Sequence, residues 1–136
     1  MREVRVMVRL TNAVDQALVR RGMLNPEKVR IYDADALVDT GAVRCVLPSH
    51  VAQRLVLETM GCVAEYADGR LEAVDLTEPF TLLVLEREEL ENAMVLGDEV
   101  IIGQTALEKL DLFVDCVNQR LVPNPAHPDQ PVSKIK

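Results

Sequence analysis

The chain has 136 residues, 49% of them apolar and only 3% aromatic, with a formal charge of −7. That length suits one domain with its own core, built from Val, Leu, Ile, Ala and Met, because Tyr32, Tyr66, Phe80 and Phe113 are the only aromatic rings. The acidic balance excludes a nucleic-acid surface, which draws on clustered Lys and Arg.

Arg2 to Leu10 alternates and predicts a strand with Val4, Val6, Val8 and Leu10 inward, Arg2, Arg5 and Arg9 being its wet residues. Charges within Met1 to Arg5 interrupt any leader-like apolar run. No stretch reaches the roughly 20 apolar residues of a membrane span, so a soluble, cytoplasmic protein without a membrane partner is expected. Thr11-Asn12 suggests a turn. Ala13 to Arg21 fits a helix or a second strand returning against the first, and the strand is preferred. Asn25-Pro26 marks a loop, and Val29 to Val38 predicts a strand running into Asp39.

Cys45-Val46-Leu47 reads as a short strand. Pro48 suits a helix start, where its missing N–H is not needed, and Val51, Ala52 and Leu55 give that helix an apolar face. Gly61 to Tyr66 and Leu71 to Leu76 flank Ala67-Asp68-Gly69-Arg70; Asp-Gly between such runs signals a hairpin, because the tight turn demands positive φ. Phe80 to Leu85 and Ala93 to Leu96 predict strands, with Glu86 to Glu91 as the turn between them. Val100-Ile101-Ile102-Gly103 is an apolar strand ending in glycine. Thr105 and Glu108 form a capping-box pattern ahead of a helix with Ala106, Leu107 and Leu110 on one face. Leu112 to Val114 and Arg120 to Val122 predict strands around a turn at Cys116 to Gln119. Four of the seven prolines fall between Pro123 and Pro131. The expected division is therefore a folded domain over 1–122 and a flexible, Pro-rich tail over 123–136.

Cys45, Cys62 and Cys116 are odd in number and widely spaced, and His50 and His127 are the only histidines. Three reduced thiols are expected, without a disulfide framework, a metal site or a cofactor. About eight short strands and two short helices predict a small closed β fold.

The residues that carry chemistry are Asp39-Thr40-Gly41-Ala42, directly after the apolar pair Leu37-Val38. A carboxylate at the end of a buried strand, followed by a hydroxyl residue and a glycine, is half of a two-carboxylate hydrolytic centre. Two carboxylates about 3 Å apart cannot both ionise, so one holds a proton while the other does not. The ionised one takes a proton from water, and the protonated one polarises the scissile carbonyl. The glycine lets backbone N–H groups come close to the carboxylate. The run occurs once and no internal repeat supplies a second, so the centre needs two chains.

Three segments together resemble the retropepsin-like aspartic proteases, in their bacterial single-domain branch. Ala36 to Ala42, continued by Val46-Leu47-Pro48, looks like the catalytic loop. Tyr66-Ala67-Asp68-Gly69-Arg70 looks like the flap tip. Val100 to Gln104, with the helix to Leu110, is similar to the apolar-apolar-glycine segment and C-terminal helix. The likeness spans roughly residues 2–122.

The resemblance implies a closed acid-protease barrel with a flap hairpin and one short C-terminal helix, working as a homodimer that cleaves peptides. By it, Asp39 is the catalytic residue from each subunit, supported by Thr40, Gly41 and Ala42. Thr40 bridges the two loops, and Gly41 offers backbone groups to substrate. Tyr66, Asp68 and Gly69 form the lid, and Ile101, Ile102 and Gly103 back the loop.

The chain departs from the viral members, where an acidic residue after the loop alanine pairs with an arginine after the late glycine; Val43 and Gln104 stand there instead. Ala42 replaces the serine usual in pepsin-type enzymes. Without that hydroxyl the pair keeps its shared proton to higher pH, so an optimum nearer neutral than pepsin's is expected, and a profile peaking below about pH 3 would contradict it.

Two rival readings remain. Asp33-Ala34-Asp35-Ala36 resembles the aspartate pair of haloacid-dehalogenase-type phosphatases, which needs Mg²⁺ and a parallel sheet. A catalytically silent retropepsin-like dimer, kept for binding or assembly, is the other.

Overall fold

A computed structural model describes residues 3–135; Met1, Arg2 and Lys136 lie outside it, so the place expected for Arg2 in the first strand falls outside the described residues. Strands take 43% of the described residues and helices 18%, which makes the chain mainly β.

Strand β1 (Val4–Asn12) runs through the turn expected at Thr11-Asn12. It pairs antiparallel with β2 (Ile31–Val38) from Val4↔Val38 to Thr11↔Ile31. Its other edge takes β6 (Phe80–Val84), with Leu10 opposite Leu82. Val4, Val8 and Leu10 are buried and Val6 is half-buried, as alternation predicts.

Ala13 to Arg20 is helix α1, not a returning strand. The Asn12 side chain accepts the Asp15 N–H at 2.9 Å and caps the first turn. Asp15 then turns inward to Arg30. Its Oδ2 accepts the Arg30 backbone N–H at 3.0 Å and Nε at 2.9 Å, and its Oδ1 accepts Nη2 at 3.0 Å. The Arg30 side chain, ahead of burial, sets the balance and holds the Asp15 carboxyl below the usual carboxylate range. A lowered folded value means that the pair stabilises fully above the ordinary value of about 4 and fades as pH falls through the lowered one. Asp15→Asn is therefore expected to flatten the acid limb of the stability curve below the ordinary carboxylate value of about 4, read as urea midpoints against pH. An acid limb as steep as the wild type's contradicts this.

After β2 come β3 (Cys45–Leu47) and helix α2 (Ser49–Arg54), which starts after Pro48 and buries Val51, Ala52 and the following Leu55. Strands β4 (Thr59–Glu65) and β5 (Leu71–Thr77) form the expected hairpin. β6 returns through Leu85-Glu86, both with positive φ, into β7 (Arg87–Glu91), so most of the segment expected to be a turn is a strand. Strand β8 (Ala93–Val95) follows, then β9 (Ile101–Ile102), helix α3 (Gln104–Leu110), and the hairpin β10 (Leu112–Asp115) with β11 (Arg120–Pro123). Gly103 takes the N-cap position of α3 without a side-chain cap, so the Thr105–Glu108 capping box does not form. Ala106, Leu107 and Leu110 are nevertheless buried.

The main sheet has the order β4-β5-β8-β3-β9-β2-β1-β6-β7 and is mixed. It is open, so the expected closed barrel is corrected: among the described residues β4 pairs only with β5, β7 only with β6, and the two edges do not join. Phe80, Leu10, Leu47, Leu55, Leu82, Ile102 and Leu110 are the largest fully buried side chains, joining sheet to α2 and α3 in one core; each stabilises by about 1.5–3 kcal/mol. No helix among the described residues is long and apolar enough to cross a membrane.

Candidate active site

Asp39 stands where β2 ends. The last two β2 residues run parallel to β9, Leu37 opposite Ile101 and Val38 opposite Ile102. The Asp39 N–H continues the ladder by donating to the Ile102 carbonyl at 3.0 Å. β3 lies on the other side of β9, Val46 opposite Ile101. The loop 39–44 therefore passes over the end of β9, and Ile101 and Ile102 back it from beneath.

The loop is fixed by its own backbone. Ala42 N–H donates to the Asp39 carbonyl at 3.1 Å, and the Gly41 N–H donates to Asp39 Oδ1 at 2.9 Å. A Cβ on Gly41 would lie 3.2 Å from that oxygen, so the glycine permits the approach. The start of α3 closes the loop from the other side, Gln104 N–H to the Ala42 carbonyl at 2.7 Å and Thr105 N–H to that of Val43 at 3.1 Å. Val43 and Gln104, the positions without the viral ion pair, are thus held through main-chain groups. Gly103 is the tight point: a Cβ there would lie 2.5 Å from the Arg44 carbonyl oxygen and 2.9 Å from that of Ala42.

Asp39, Thr40 and Gly41 are exposed, and Ala42 is half-buried. Beside Asp39 and Thr40 lies a hollow of about 500 Å³, lined also by Val4, Leu37, Val114 and Cys116. The β10–β11 hairpin supplies Val114 and Cys116. Nothing in the sequence marks them, because they reach Asp39 only through the fold. Cys45, just after the loop, is buried, and burial pushes its thiol up to about 11, which makes it inert at neutral pH.

The β4–β5 hairpin carries Tyr66, Asp68 and Gly69 at its tip. Gly69 has φ +86°, its N–H donates to the Tyr66 carbonyl at 2.9 Å, and Asp68 Oδ1 accepts the Arg70 N–H at 2.9 Å. The Arg70 guanidinium sits 4.2 Å from the Tyr66 ring centre. Met60, Val63 and Leu71 are exposed along the hairpin. The tip residues do not line the hollow beside Asp39 within one chain.

Asp33 and Asp35 share one face of β2 with their side chains toward arginines. Asp33 is forked by Arg9 at 2.8 and 3.1 Å, which holds its carboxyl below the usual range, and Asp35 lies 3.9 Å from Arg5. Their neighbour strand β1 is antiparallel, unlike the parallel surroundings a phosphatase aspartate pair needs. Among the described residues, no group of three or more His, Cys, Asp or Glu is placed to hold a metal. No family model matches the chain, and no curated protein matches it significantly.

Proposed function

We propose that two copies of the chain join about a two-fold axis with their Asp39 loops face to face, and that the pair is a retropepsin-like aspartic endopeptidase. One Asp39 carboxylate takes a proton from a water held between the two. The other, protonated, donates to the scissile carbonyl. The titration belongs to the pair. Each Thr40 hydroxyl reaches the partner loop, Gly41 presents backbone to the peptide, and the hairpin tip at Tyr66, Asp68 and Gly69 closes over it. Apolar residues of both subunits, including Leu37, line the cleft, so apolar side chains flank the cut.

The observation that carries this reading is the Asp39 loop: an exposed carboxylate, set by the Gly41 N–H and locked over β9 from both sides. A peptide library incubated with the protein tests the reading. Cleavage next to apolar residues that Asp39→Asn abolishes, with the dimer intact, supports it. A stable dimer that cleaves nothing instead assigns the fold to binding or assembly.

A further inference from the structure

The Pro-rich segment after Pro123 has no helix or strand among its described residues, yet it is tied to the body at Asp111 and Arg87. Asp111, the residue after α3, holds a left-handed backbone (φ +57°) and is buried. Its Oδ1 accepts the Asn124 side-chain amide at 2.9 Å. Its Oδ2 accepts the Val132 N–H at 3.1 Å and faces His127 Nδ1 at 2.6 Å, so that ring nitrogen carries the proton. The Asp111 carbonyl takes the Asn124 N–H at 3.0 Å and Arg87 Nη1 at 2.8 Å. Arg87 is buried too, and its other nitrogen donates to the His127 carbonyl at 2.5 Å.

We propose that residues 124–132 form a strap docked on the body at Asp111 and Arg87, and that acid, by protonating the Asp111 carboxylate, loosens this strap while the main sheet stays folded. Both carboxylate oxygens are spent on the strap and none on the sheet, so protonating Asp111 removes acceptors from the strap alone. The next residue, Leu112, begins the hairpin whose Val114 and Cys116 wall the hollow beside Asp39. Docking thus steadies the root of that wall, whether or not Asp39 is catalytic.

The charged groups around Asp111 are Arg87 from β7, Glu108 and Lys109 from α3, and His127 and Lys134 from the tail. Asp115 and Arg120 of β10 and β11 pair with each other at 3.6 Å, at the far end of the hairpin. The Asn124 amide first, then the Val132 N–H and His127, hold the Asp111 carboxyl below the usual range against burial. A lowered value places full docking above about pH 4 and its loss below that.

Amide hydrogen exchange on the whole chain tests this. At pH 6 the Val132 and His127 amides are expected to be protected. On acidification their protection falls before that of the β1–β2 amides. Asp111→Asn, which keeps a side chain suited to the left-handed backbone, lowers strap protection roughly tenfold and removes its dependence on acid. His127→Ala and Val132→Pro lie on the strap itself and carry the test should Asp111→Asn not fold: each speeds exchange of the remaining strap amides and leaves β1–β2 unchanged. Strap amides that exchange like free chain at pH 6, that keep their protection in these variants, or that open together with β1–β2 overturn the proposal.

Discussion

Asp39→Asn is expected to reduce peptide cleavage by at least about 10³-fold while leaving fold and assembly unchanged. The argument for unchanged structure is local. Oδ1 of Asp39 accepts the Gly41 N–H at 2.9 Å, and an asparagine oxygen accepts the same bond. The backbone bonds of the loop, to Ile102 and from Gln104 and Thr105, do not involve the side chain. The argument for lost activity is chemical. An amide neither takes a proton from water nor shares one with a second carboxylate, so both halves of the acid–base step fail together. The measurement is kcat/KM on a cleaved peptide beside a melting curve and light scattering. Cleavage that survives with the same pH profile removes Asp39 from the chemistry.

Gly103→Ala is expected to destabilise by about 3 kcal/mol and to displace the Asp39 loop. The added methyl meets the Arg44 carbonyl oxygen at 2.5 Å and its carbon at 2.6 Å. These are backbone atoms of a loop held at both ends, so no side chain can swing aside. Relief requires breaking the bonds from Gln104 and Thr105 to the Ala42 and Val43 carbonyls, which also order the loop. Gly61→Ala is the control: its added methyl meets nothing within 4 Å. Urea unfolding of both variants reads the difference. Equal midpoints contradict the account of how the loop is held.

Much of this was legible in the sequence, and for physical reasons. Strict alternation fixed β1, and the apolar run into an aspartate fixed β2 and its end. Asp68-Gly69 gave the hairpin, because few residues accept φ near +86°. What escaped was whatever depends on partners far along the chain. Ala13 to Arg20 reads as a strand until Asn12 is seen as its cap and Asp15 as the mate of Arg30, fifteen residues on. Arg87 to Glu91 looks like a solvated charged turn, yet Arg87 and Glu91 point inward and Leu90 outward. That inversion arises because α3 ends against β7: its Leu110 carbonyl needs a donor, which Arg87 supplies, and Lys109 meets Glu91 at 3.4 Å. Composition likewise says nothing of the hydrogen bonds by which Asn124 and Val132 meet Asp111. For the site, Asp39, Gly41 and Gly103 could be named from sequence. Val114 and Cys116 could not, because they come to Asp39 through a two-stranded hairpin that starts more than seventy residues later.

The claim that each chain contributes one acid to a shared centre is tested most directly by mixing subunits. Wild-type protein is equilibrated with increasing Asp39→Asn protein at constant total concentration, and peptide cleavage is measured. Mixed dimers hold one acid and one amide and are inactive, so activity follows the square of the wild-type fraction, with about a quarter left at equal amounts. Activity falling in simple proportion, to about half, means that each chain acts alone and contradicts the account.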